Sequence, residues 1–152
     1  MSKPPTTLDT LLELARSACD RAGDALRQER RDAQQIEARI GALEQYRQEY
    51  LERLQQAMAR GIDPVLVDNY RRFLASLDSA LEGARSALAA QHEKVEGGIR
   101  HWHNARRRVA SYDTLASRRV LQQAVLEQRA ELRASDELVT GRLARRQAQR
   151  GR

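Results

Sequence analysis

From Leu8 onward, apolar residues recur at alternating intervals of four and three. One set is Leu8, Ala15, Ala22, Glu29, Ile36, Leu43, Tyr50 and Ala57, and the other is Leu12, Cys19, Leu26, Ala33, Ile40, Arg47 and Leu54. Thirteen of these fifteen positions are apolar, Glu29 and Arg47 being the exceptions. A seam with this spacing marks a helix that packs along a partner helix. The pattern halts once and then resumes. Its second stretch runs through Val67, Leu74, Leu81, Leu88, Val95, Trp102, Val109 and Ala116, with Tyr70, Leu77, Ala84, Gln91, Gly98, Ala105 and Tyr112. Thirteen of fifteen are again apolar.

The halt has a local cause. Gly61 can take the left-handed conformation that closes a helix. Asp63 is suited to cap the next helix, and Pro64 to its first position. So short a connection makes the two helices antiparallel neighbours. Folding the chain here sets seam residues opposite each other when their numbers total 124: Leu54 with Tyr70, Tyr50 with Leu74, Leu43 with Leu81, Ile36 with Leu88. Ala22 then faces Trp102, and Leu26 faces Gly98, small against large as close packing requires. Leu12 falls opposite Tyr112 and Leu8 opposite Ala116. At the start, Pro4 and Pro5 stay extended, and Thr6 with Asp9 three residues on forms a capping box.

The expected fold is therefore all-α: two long helices in an antiparallel coiled-coil hairpin, the second longer and overhanging. A single hairpin domain over residues 1–152 has a helix at about 7–60, a turn at 61–64 and a helix at about 64–147. At about 1.5 Å per residue the paired arms make a rod roughly 75–80 Å long. From about Arg118 onward the second helix has no partner in the chain, yet it carries a broken apolar stripe at Leu121, Val125, Leu132, Val139 and Leu143. An apolar face with nothing to bury it expects another protein, and it favours self-association of the isolated chain. Gly141, Gly151 and the polar ending point to fraying at the very end.

Composition agrees with the pattern. Charged residues make up 32% and aromatics 4%, the profile of long helices and not of a sheet-bearing core. No apolar run approaches the length of a membrane span or secretory signal, so neither is expected. The lone Cys19 cannot form an internal disulfide, which fits a reducing cytosol. The net charge of +6 is unevenly placed. Residues 100–152 hold thirteen Arg against five acids, and residues 1–99 hold fourteen Lys or Arg against sixteen acids. Partners of the basic third should be acidic.

Two irregularities remain. Glu29 and Gln91 interrupt the seam near Gly97 and Gly98. They imply a softened, slightly opened stretch whose polar heads reach water, or alternatively a flexing point. Near the turn, Arg47 takes a seam position opposite Leu77, while Tyr46 and Phe73 fall just off the seam on one side, with Ala80 a heptad further on. Such flanking aromatics either cover the seam or anchor a protein contact.

Taken together, Tyr46, Tyr50, Leu51 and Leu54, then Gly61, then Asn69, Tyr70, Phe73, Leu74, Leu77 and Ala80 resemble the core signature of the FliJ family. These are small coiled-coil hairpins of the flagellar type III export apparatus. The resemblance spans roughly residues 7–145, and its specificity rests on residues 43–84. It implies a cytoplasmic, non-enzymatic stalk protein without cofactors, at the cytoplasmic face of the inner membrane at the flagellar base. Its implied partners are the flagellar export ATPase hexamer, entered by the paired terminal ends, the cytoplasmic domain of the export gate, and export chaperones. The family's gate-contacting surface carries onto Leu43, Tyr46, Tyr50, Phe73, Leu77 and Ala80. Ala84 stands where the family often has a polar residue and is left out. For the ATPase-facing end the candidates are Leu8, Leu11, Leu12, Arg118, Arg119, Leu121, Leu132, Arg142, Arg145 and Arg146. The equivalent stalk proteins of type III secretion injectisomes share the architecture and are the nearest alternative.

Other chemistry finds less support. In His101–Trp102–His103 the two histidines are two residues apart and point about 200° from each other on a helix, so one metal ion cannot take both. No Gly-rich phosphate loop is present, so the chain is not expected to hydrolyse ATP. No nucleophile has a base at a defensible spacing. A basic helical nucleic-acid-binding protein is the competing class, on the strength of a pI near 10.2 and the Arg106–Arg107–Arg108 and Arg145–Arg146 runs. Against it, the basic stretch alternates with an apolar stripe that nucleic acid would not use, so no nucleic acid is expected as a partner.

Overall fold

The computed structural model describes residues 4–151. Two helices account for nearly all of them: α1, Thr7–Arg60, and α2, Pro64–Arg150, with no strand among the described residues. The helices pack against each other as a hairpin, and α2 is the longer, at 87 residues against 54.

α1 begins where the capping box places it. The Thr6 amide and hydroxyl both donate to Asp9 Oδ2 at 2.9 Å, and the Asp9 amide donates back to Thr6 Oγ1 at 3.2 Å. These bonds occupy donors that the first helical turn leaves free. At the other end Gly61 adopts φ 79°, and its amide donates to the Met58 carbonyl at 3.3 Å. A side chain is disfavoured at this angle, which is why the turn needs glycine. Asp63 then caps α2, its carboxylate accepting from the Val65 amide at 3.2 Å and its carbonyl from Leu66 and Val67. Pro64 begins the helix, where the amide it lacks would have been unpaired in any case. α2 passes through Gly141 without a break and ends at Arg150.

The chain divides into two compact units. One joins residues 17–106, and the other joins the described residues before Ser17 to those from Arg107 to Gly151. In the first unit, every seam position read from the sequence is buried or half-buried, with Ala22, Leu26, Ala33, Leu54, Leu77, Leu81 and Gln91 buried. Antiparallel register is explicit here. A side-chain carbon at Gly98 would stand 3.3 Å from Leu26 Cδ1, and one at Gly23 would stand 3.4 Å from Trp102 Nε1. Gly98 thus admits Leu26, and Gly23, next to the buried Ala22, admits the indole. Arg106 lies over that ring, its guanidinium carbon 4.7 Å from the centroid.

Glu29 and Gln91 do not open the seam to water. Gln91 is 7% exposed. Its Nε2 donates to the Glu29 carbonyl at 3.0 Å and also to the Glu29 carboxylate. The softened-stretch expectation fails because the two polar interruptions satisfy each other, and no buried side-chain polar atom among the described residues lacks a partner.

In the second unit Leu12 and Ala15 are buried, and Leu8, Val109, Tyr112 and Ala116 half-buried. Arg16 joins Asp113 across the helices at 3.0 Å. Beyond Ala116 every described residue of α2 is exposed. No helix among the described residues is long and apolar enough to cross a membrane.

Candidate interaction surfaces

The two flanks of the seam in the unit of residues 17–106 differ in chemistry. One carries charge pairs between the helices, Arg47 to Asp78 at 2.6 Å and Arg85 to Glu44 at 3.0 Å, with His92 Nε2 3.6 Å from the Glu37 carboxylate. All are about half-exposed, so each adds little stability. Their effect is to fix register and keep this flank wet. Arg47 occupies a seam position only at its base. Its head leaves the core for Asp78, which lies one residue beyond Leu77.

The opposite flank carries Tyr46, Phe73 and Ala80, all exposed; Tyr46 is 55% and Phe73 40% accessible. Behind them Tyr50 is half-buried. Its ring lies 4.2 Å from that of Phe73 and 6.2 Å from that of Tyr70 between centroids. The guanidinium of Arg53 stands 5.3 Å from the Tyr50 centroid. Phe73 is thus held by stacking while its outer face stays open. A rigid, partly exposed aromatic anchored this way is the usual form of a protein-binding hot spot.

Of the six residues assigned to this surface, Tyr46, Phe73 and Ala80 are accessible, Leu43 and Tyr50 are half-buried, and Leu77 is 7% exposed. Leu77 therefore supports the surface from beneath and has little left to offer a partner. Reading from the sequence missed Met58, Val65 and Leu66, all large, apolar and exposed around the turn. For Val65 and Leu66 the signal was the apolar run after Pro64, of which only Val67 has a seam position. It missed Arg53 as well, three residues from Tyr50 and so within reach of its ring on the same helical face.

At the unit that holds the termini, Leu8 meets Ala116 and Arg119 in an open notch at the start of α1, where Asp9 and Val120 also line the wall. A second, smaller depression brings Leu8 together with Leu115, Arg118 and Arg119. Leu11 is exposed and Leu12 is buried, so only Leu11 of this pair faces outward. Arg118, Arg119, Arg142, Arg145 and Arg146 are all exposed, as are Leu121 and Leu132. Arg118 and Arg119 are brought to Leu8; Arg142, Arg145 and Arg146 lie farther along α2. The Asp9 carboxyl is held below its ordinary value of 3.8, first by the Thr6 amide, then by the Thr6 hydroxyl and the nearby Arg119 charge. Among the described residues no three His, Cys, Asp or Glu side chains gather as a metal site would need.

The family model for the flagellar FliJ protein matches residues 4–148. The chain belongs to the FliJ family. It is 31% identical over 130 residues to the flagellar FliJ protein of Salmonella typhi, covering 86% of this chain and 88% of that relative. It is 29% identical over 130 residues to the flagellar FliJ protein of Escherichia coli strain K12, with the same coverage. The match takes in the turn, both flanks and most of the overhang.

Proposed function

We propose that this FliJ-family chain is a non-enzymatic stalk of the flagellar type III export apparatus, acting at the cytoplasmic face of the inner membrane. Its terminal end engages the ring of the export ATPase and promotes ring assembly and activity. Its aromatic flank by the turn contacts the cytoplasmic domain of the export gate, and the same protein assists the cycling of export chaperones. The observation that carries this reading is the bare end of α2. Every described residue beyond Ala116 is exposed, yet apolar residues and arginines alternate along this stretch. A detachable pin for the inner wall of a ring needs both: apolar area for contact, and charge to keep the free form in solution.

Deleting residues 119–152 tests it. The remaining residues keep the seam and both caps, so the helical signal per residue should be retained while stimulation of the purified export ATPase falls to the unstimulated rate. Full stimulation by the truncated chain would remove the overhang from the ATPase contact.

A further inference from the structure

The stripe on the overhang is not a continuation of the hairpin seam. At about 100° per residue, Leu121, Val125, Leu132, Val139 and Leu143 fall within about 40° of arc, roughly 140–180° around α2 from Ala116. They lie on the side of the helix away from Val109, Tyr112 and Ala116, so lengthening α1 would not cover them. All five are exposed.

Their spacing is symmetric: intervals of four, seven, seven and four residues, centred on Leu132. A two-fold axis at Leu132 therefore sets Leu132 against itself, Val125 against Val139, and Leu121 against Leu143. Self-complementarity of this kind is what an isologous interface requires. Charge follows the same symmetry. Arg129 and Asp136 stand on one flank of the stripe, three residues before Leu132 and four after it. The two-fold brings Arg129 of each copy beside Asp136 of the other. Among the described residues neither takes part in an ion pair within the chain. On the other flank the neutral Gln128 and Ser135 meet, and toward the ends Arg118 falls beside Gln147. No like charges oppose, although the segment as a whole is basic. A parallel pairing would set the Arg129 flank against the Gln128 and Ser135 flank and forgo both ion pairs.

We infer that the overhang is a self-complementary docking surface whose occupant is a second copy of this chain, paired antiparallel about Leu132. The area involved, on the order of 1,000 Å², lies at the lower edge of specific interfaces, so the pairing is weak and reversible, with a dissociation constant of about 10–100 μM. It covers the stripe in the free protein and must open before any other partner takes that face. Self-pairing does not depend on what that partner is.

Sedimentation of the full-length chain over a concentration series should show a monomer–dimer equilibrium in this range. Leu132→Lys, at an exposed position that the hairpin does not use, should weaken dimerisation about tenfold or more with unchanged helicity. Arg129→Asp and Asp136→Arg should each be monomeric alone and should dimerise when mixed in equal amounts, because only the mixture restores both charge pairs. In a Cys19→Ser background, Leu132→Cys should cross-link to itself readily and Leu121→Cys should not. A wild-type chain that stays monomeric at several hundred micromolar overturns the proposal. So does equal cross-linking at the two positions, the result expected of parallel pairing or non-specific contact, or failure of the mixed charge variants to pair.

Discussion

Asp9 shows how one carboxylate defines a helix start. It accepts from the Thr6 amide and hydroxyl while its own amide returns to the Thr6 hydroxyl. Those bonds favour the ionised form, and their lowering of its pKa is helped by Arg119. A depressed folded-state value means that the cap's contribution is present above the unfolded value. It is lost as pH falls through the folded one. Carbon NMR of the Asp9 carboxyl should therefore titrate below 3.8, and the first turn should fray only beneath that midpoint. Titration at or above the ordinary value would mean the box is open in solution. Nearby in kind is Gly61, whose φ of 79° makes it the one described residue with a left-handed backbone.

Along the elements, the polar pair in the seam decides the most. Buried Gln91 gives its amide to Glu29, and Glu29 is itself half-buried. Removing one member strands the other, whereas replacing both restores a continuous apolar seam. Gln91→Leu should lower stability by about 1–3 kcal/mol in chemical denaturation, through the unpaired Glu29 carboxylate. Adding Glu29→Leu should recover that loss and exceed the wild type. A double variant whose loss equals the sum of the two single losses would show that the pair adds nothing beyond its separate members. The alternation of seam and break was readable in the residue pattern. That the breaks meet each other was not, because heptad spacing says which residues face the partner helix and nothing about how far a flexible amide reaches along it.

For the molecule as a whole, the direction of the second helix is the fact on which the surfaces depend. In the Cys19→Ser background, Leu43→Cys with Leu81→Cys should close within one chain, and so, in the other unit, should Leu8→Cys with Ala116→Cys. Links found only between chains would replace the hairpin by straight paired rods and dissolve both flanks. The aromatic surface was legible as far as Tyr46 and Phe73, since their heptad positions put them beside the seam. The burial of Leu77 beneath that surface follows from its seam position, whereas the stacking of Phe73 on Tyr50 and the exposed rim of Met58, Val65 and Leu66 appear only once the turn is built.

What the residue order determined was local and periodic: two helices, their caps, the single turn and the register between them. A 3.5-residue repeat, one glycine–aspartate–proline break and a short loop leave few other ways to bury the seam. Tertiary structure decided what periodicity cannot express. It turned Arg47 out of the core to Asp78, closed Glu29 on Gln91, and stacked Phe73 on Tyr50. The reason is physical. Register specifies which backbones are neighbours, but the final place of a long or polar side chain is chosen by the partners within its reach, and those belong to the other helix.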